Sequence, residues 1–149
     1  MENALEYDAV ASGVFAPLYP VVAEAILERT GVVSGRMLDV GCGGGHLGFA
    51  VMERAPFEGW LVDVSPDAVK LCRERSLGMG LGDRCRCLVG DVHALPLEDA
   101  FFDLVVRPII SRFGIIQSTV FLGRLIESPM MFSIIKAMVE NPTYWCVLR

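Results

Sequence analysis

Histidine is scarce in this sequence, with two in 149 residues, and so are tryptophan, also two, and tyrosine, three. Any histidine-based metal cage or Ser-His-Asp triad would have to be built around His46 or His93, and neither has a partner set nearby in the sequence. The five cysteines, Cys42, Cys72, Cys85, Cys87 and Cys146, contain no C-x-x-C pair. That argues against the common zinc and dithiol motifs and predicts reduced thiols in the cytosol. Cys85 and Cys87 alternate on a predicted strand, face one side, and are read as small core residues. Charge is thin too, 21% of residues against 53% hydrophobic, with a mean hydropathy of +0.48. The formal net charge of −5 argues against nucleic acid as main partner, because phosphate recognition needs a basic face. Apolar runs such as 104–106 and 130–135 break well short of bilayer length, so no membrane span is predicted. The opening MENALEYDAV lacks the positive start and apolar stretch of a secretory signal. A cytoplasmic protein with a small-molecule partner and no membrane contact is expected.

The length suits a single domain over 1–149 with a core of its own. No repeat, low-complexity segment or Pro/Gly/Ser-rich linker divides it. Charge does distinguish two parts. From Leu104 onward there are five basic and two acidic residues, so this apolar tail carries +3 and the first 103 residues −8.

Elements alternate along the first part. Apolar spacing predicts a helix over 20–29, closed by Gly31. A strand over 36–40 runs into GCGGG, and a helix over 46–54 follows. A second strand covers 59–64. Ser65-Pro66-Asp67 then reads as N-cap, first-turn proline and dipole-compensating acid of a helix ending near Ser76. A third strand is expected over 86–89 and a fourth over 101–106. This alternation predicts a doubly wound, mainly parallel α/β sheet in the order 3-2-1-4, with a ligand crevice between strands one and four. The tail reads as a helix over 118–127, another from Pro129 to about Asn141, and a short strand over 145–148.

The chemistry is concentrated in LDVGCGGGHLG. Asp39 precedes three alternating glycines, Gly41, Gly43 and Gly45, where a strand hands over to a helix. Glycines there admit positive φ and remove the Cβ atoms that would block a ligand lying across the turn. The helix start behind them presents free N–H groups. Asp63, in LVDVSPDA, ends the second strand 18 residues after Gly45, where a carboxylate can accept from both hydroxyls of a ribose. GDVHALP places Asp91 and Val92 past the third strand, where an acid and an apolar side chain can border an adenine. A dinucleotide site is the rival, because Gly43, Gly45 and Gly48 also spell G-x-G-x-x-G and Asp63 lies 20 residues beyond Gly43. Against it, counting from Gly41 puts His46 at the third glycine, and no Tyr-x-x-x-Lys pair is present.

Over roughly 15–106 these segments together resemble the class I S-adenosylmethionine-dependent methyltransferase family. LDVGCGGG is similar to its first motif, LVDVSPDAVKLCR to the segment after it, and GDVHALPLEDAFFDLVV to the second and third. The resemblance implies a Rossmann-like core over 1–106 and S-adenosylmethionine as cofactor. Asp39 and the loop of Gly41, Cys42, Gly43 and Gly45 would then meet the methionine part, Asp63 the ribose, and Asp91 with Val92 the adenine, with Val64 a further cofactor contact. FAPLYP resembles an N-terminal helix that caps the cofactor in some members, which makes Tyr19 a further candidate contact, with core packing as its alternative. No catalytic residue and no metal ligand is assigned. The family's later strands and its PGG-type turn are not recognisable in 107–149, a divergent and mainly helical tail. Strand four would be left as an apolar edge, to be covered by that tail, by 145–148, or by a second chain in a homodimer. A methyltransferase acting on a small molecule and a non-catalytic cofactor-binding partner or regulator are therefore both compatible with the sequence.

Overall fold

The computed structural model describes residues 4–91, 94, 101–110 and 116–122. Two helices open the chain, α1 (Ala4–Gly13) and α2 (Leu18–Thr30). There follow β1 (Gly35–Val40), α3 (His46–Arg54), β2 (Phe57–Asp63), α4 (Pro66–Gly78), β3 (Cys85–Val89), β4 (Leu104–Ile110) and β5 (Ile116–Leu122). The sheet order is β3-β2-β1-β4-β5. The first four strands run parallel and β5 pairs antiparallel with β4. The expected 3-2-1-4 order is therefore present, with the crevice-forming reversal beside β1.

Local chemistry places these elements. Gly31 ends α2 in the left-handed region at φ 67°, its N–H donating to the carbonyl of Leu27. Ser65 caps α4 by accepting from the N–H of Ala68, and Pro66 occupies the first turn, as the motif requires. Side chains alternate across the sheet. Met37, Phe57, Leu61, Cys87, Leu104 and Val106 turn to the face on which α1 to α4 pack. Leu38, Val40, Trp60, Val62 and Val105 form a second cluster on the other face, with Phe101 and Phe102 against it.

Three expectations need correction. The fourth strand begins at Leu104 rather than at 101, because Phe101 and Phe102 turn aside to meet Trp60 edge-on at 5.1 and 5.4 Å. The Arg36 guanidinium lies 4.1 Å from the Phe101 ring, so this aromatic corner gains more by packing than by extending the ladder. The expected helix starting at Ser118 is instead strand β5 over 116–122. Its IQSTVFL is rich in β-branched and aromatic residues, and it satisfies the hydrogen-bonding edge of β4 that was left open to a second chain. The first helix, α1, was not anticipated; among its residues only Ala11 is buried. The expected helix from Pro129 and the strand over 145–148 lie outside the described residues.

Gly48 lets α3 descend onto β1. A Cβ there would stand 2.6 Å from Asp39 Oδ2 and 3.1 Å from Leu61, and neither neighbour can retreat within the packed layer. Gly48→Ala is expected to destabilise the protein by about 1–3 kcal/mol, read from chemical denaturation. An unchanged midpoint would show that the helix can ride outward.

Candidate functional site

The ends of β1, β2 and β3 are brought level by the register, Val40 opposite Val62 and Asp63 opposite Val89. Between β1 and α3 the chain turns through Gly41, Gly43 and Gly45, with φ of 67°, 54° and 85°. The left-handed backbone expected of these glycines is thus present at all three. Gly45 has a second constraint, since a Cβ there would meet Cys72 Sγ at 2.9 Å and press into the Phe49 ring. The loop is pinned from inside. Gly41 N–H and Cys42 N–H both donate to the carbonyl of Val62, and Gly45 N–H donates to that of Cys42. Cys42 is buried and its thiol donates to the carbonyl of Gly43 at 3.4 Å.

Asp63 joins this loop to β2. Its Oδ2 accepts from Gly43 N–H at 2.8 Å and its Oδ1 from Ser65 N–H at 2.9 Å. A carboxylate has about four acceptor positions, so two remain for a ligand. The carbonyl of Asp63 also accepts from Gly90 N–H, which draws the end of β3 and the exposed Asp91 behind it to the same edge. Val64 is 69% exposed beside Asp63, an apolar side chain at the mouth of the loop. Val92, the remaining candidate of that group, lies outside the described residues, as does His93.

Asp39 is the electrostatic anomaly of the site. It is fully buried, its Oδ2 accepts from Gly48 N–H at 3.0 Å, and its Oδ1 has no hydrogen-bond partner. Burial raises its pKa from 3.8 to about 7, the Gly48 bond opposing and the Asp63 charge adding to the rise. Asp39 therefore sits beneath α3 as a carboxyl poised between its charged and neutral forms.

Tyr19 is buried at 4% exposure and stacks on His46, ring centroids 5.3 Å apart and planes 14° from parallel. Desolvation, with the Asp8 and Asp39 charges behind it, holds its phenol up at about 12. The core-packing alternative for Tyr19 is the one its surroundings match. His46 Nε2 in turn lies 2.8 Å from Asp8 Oδ1, and Asp8 takes two bonds from the Arg75 guanidinium, at 3.2 and 2.9 Å. Arg75 also donates to the carbonyl of Gly44. Burial outweighs the Asp8 partner and lowers the pKa of His46. Sequence reasoning missed this cluster, which seats α1 on the glycine loop. Asp8 and Arg75 are 67 positions apart, and nothing local to either announces the contact. Among the described residues no three His, Cys, Asp or Glu side chains are grouped to hold a metal ion, and no single helix is long and apolar enough to cross a membrane.

Residues 33–141 match a family model described as a methyltransferase domain. The chain is 31% identical over 103 residues to the ubiquinone/menaquinone biosynthesis C-methyltransferase UbiE of Dinoroseobacter shibae, covering 68% of this chain and 41% of that protein. It is 33% identical over 69 residues to the sterol 4-C-methyltransferase strm-1 of Caenorhabditis elegans, covering 45% and 20%. A solved structure from Methanococcus maripaludis, assigned as an S-adenosyl-L-methionine-dependent methyltransferase, superposes with a TM-score of 0.69 at 33% identity, over 70% of this chain and 48% of that one. The chain thus spans less than half the length of these relatives.

Two outcomes are expected from this geometry. Because the folded Asp39 holds a proton that the unfolded chain releases, its contribution to stability is full below about pH 4 and declines as pH rises towards 7. Asp39→Asn keeps an acceptor for Gly48 and removes the buried charge. Its melting temperature should exceed that of the parent by about 4 °C or more at pH 8 and vary less between pH 4 and 7; equal pH profiles would show that Asp39 is hydrated. Asp8→Ala should release α1, seen as faster proteolysis confined to 4–13, whereas unchanged cleavage would mean that contacts other than those of Asp8 seat the helix.

Proposed function

The chain belongs to the class I S-adenosylmethionine-dependent methyltransferase family, and from that premise we propose that it binds S-adenosylmethionine across the glycine loop and transfers the methyl group to a small-molecule acceptor. The observation that carries this reading is the 2.8 Å bond from Gly43 N–H to Asp63 Oδ2. It fixes a Cβ-free loop beside a carboxylate that still has acceptor capacity, the pair of features a nucleoside joined to an amino acid requires.

The donor set fits the cofactor. Asp63 would take the ribose hydroxyls through its unused lone pairs. Val64, with Asp91 and Val92 from the next strand end, would border the adenine. Gly41 to Gly45 would lie along the methionine part. Asp39 has an orphaned buried oxygen and lies beneath α3 as a carboxyl that a nearby cation would help to ionise, with Asp63 beside the loop, which suits a ligand carrying cationic ammonium and sulfonium groups. Tyr19 and Cys42 act at one remove, as packing beneath the first turn of α3 and within the loop.

When bound, the cofactor supplies a methyl group already activated on a positively charged sulfur. The chain's residues then have to bind, orient and exclude water, so that acceptor, methyl and sulfur stand in line; positioning of this kind can supply much of the rate enhancement without a dedicated acid or base. The acceptor is placed among small molecules rather than nucleic acid because the chain carries a net −5. The four cysteines among the described residues are free thiols, which suits the reducing cytosol, where we place the protein. β5 occupies the β4 edge that suggested a homodimer, so any self-association is assigned to the apolar tail.

Titration calorimetry with S-adenosylmethionine and S-adenosylhomocysteine is the primary test, and saturable heat with a thermal upshift is expected for both. Asp63→Ala should weaken binding about tenfold or more, the loss of hydrogen bonds to a charged group. Neither heat nor upshift would remove the reading, and heat with a nicotinamide dinucleotide instead would select the rival site. Radiolabelled methyl transfer to a panel of small acceptors then separates enzyme from non-catalytic binder, since binding without transfer to any acceptor selects the latter.

A further inference from the structure

Four of the five cysteines gather where α4 and β3 meet behind the glycine loop. Cys72 Sγ, on α4, lies 3.2 Å from Cys87 Sγ on β3, and Cys85 Sγ is 3.5 Å from Cys87 Sγ. Cys42, within the loop, lies close enough to Cys72 for each thiol to influence the ionisation of the other. Cys42, Cys72 and Cys87 are buried, and Cys85 is partly exposed. Small core volume alone does not require sulfur, since alanine or serine fills a comparable space. No grouping among the described residues is arranged to hold a metal ion, so pairwise chemistry is what the thiols offer.

The roles within the cluster are unequal. The Arg73 guanidinium donates twice to the carbonyl of Cys87, at 3.0 and 2.8 Å, which holds a positive charge beside that sulfur. Hydrogen bonds from Cys72 and Cys85, aided by Arg73 and Ser76 and opposed by burial, hold Cys87 below the ordinary thiol range. The same contacts push Cys72 and Cys85 up. The hydrogen bonds of the cluster and the nearby Arg73 thus favour the thiolate at Cys87 over Cys72 and Cys85.

We propose that Cys87 and Cys72 are a peroxide-sensitive pair, oxidised to a disulfide that ties α4 to β3 and disturbs the glycine loop. The Cys87 thiolate attacks one oxygen of hydrogen peroxide. The O–O bond breaks, the departing hydroxide is protonated to water, and Cys87 becomes a sulfenic acid. Cys72 sulfur then attacks the Cys87 sulfur, the S–O bond breaks, and the hydroxide released takes up the Cys72 proton as a second water. Two thiols and one peroxide give one disulfide and two waters, and the peroxide is the species reduced.

The link to the loop is steric. Cys72 Sγ fills the space against Gly45, where an added Cβ would lie 2.9 Å away. Disulfide formation closes the 3.2 Å contact to about 2.05 Å, and the share of that shift taken by Cys72 alters its packing against Gly45. This consequence, though not the oxidation, rests on the cofactor-binding reading. Displacement of a cradle by on the order of 1 Å is expected to weaken S-adenosylmethionine binding about tenfold.

The test treats the reduced full chain with hydrogen peroxide, blocks remaining thiols with iodoacetamide, and maps peptides by mass spectrometry without reduction. A Cys72–Cys87 linkage that dithiothreitol reverses is expected. Full alkylation, or a linkage joining any other pair, overturns the proposal. In Cys72→Ser, dimedone should instead trap the Cys87 sulfenic acid; no adduct at Cys87 in a variant with parental circular dichroism also overturns it. Calorimetry on the reduced and oxidised forms then isolates the coupling. Equal affinity in both removes the effect on the loop, whereas no binding by the reduced form counts against the cofactor reading and leaves the thiol chemistry standing.

Discussion

Asp63 is the residue at which three strand ends and the glycine loop become one structure. Its two carboxylate oxygens bind the loop at Gly43 and the approach to α4 at Ser65, and its carbonyl binds the start of the β3 loop at Gly90. A parallel sheet aligns strand ends but leaves the loops beyond them free to diverge. Here one residue ties them together, its side chain holding Gly43 and Ser65 with charge-assisted hydrogen bonds and its main-chain carbonyl holding Gly90, and it does so while partly buried, where water competes less. The site is therefore preorganised by a group that is itself a candidate ligand contact.

That arrangement has an electrostatic cost, which falls on Asp39. A buried carboxyl with one unpartnered oxygen is a state proteins avoid, and the charge of Asp63 makes ionisation of Asp39 harder still. The Gly48 N–H offsets only part of this. A cation arriving above the loop would act on both carboxylates at once, lowering the penalty on Asp39 and pairing with Asp63. The resting fold thus keeps unfavourable energy at Asp39, in the place where, on the proposed reading, a positively charged cofactor would relieve it.

What was legible in the sequence is what short spacing encodes. The helix over 46–54, the Ser65 cap, the Gly31 stop and the left-handed Gly41, Gly43 and Gly45 each depend on neighbours within a few residues, and all are present. The position of Asp63 at a strand end also followed from spacing. What was not legible depends on partners remote in the chain. Phe101 and Phe102 leave the strand pattern for Trp60, some 40 positions earlier. Residues 116–122 become a strand because β4 offers an unpaired edge, an influence that outweighs any local helical reading of Ser118 onward. Asp8 finds Arg75 and His46 only once α1 and α4 flank the same loop.

These remote contacts converge on the segment that the local signals had already marked. α1 reaches the loop through Asp8, α2 through the stacking of Tyr19 on His46, α3 through its own first turn, and α4 through Arg75 on the Gly44 carbonyl and Cys72 beneath Gly45. All four helices lie on one face of the sheet, and each places at least one side chain against, or just beside, a five-residue turn that has almost no side chains of its own. A loop made of glycine is cheap to distort, so its shape has to be imposed from outside. The surrounding helices supply that shape, which means that whatever moves one of them, by proton, thiol or ligand, is felt first in the loop.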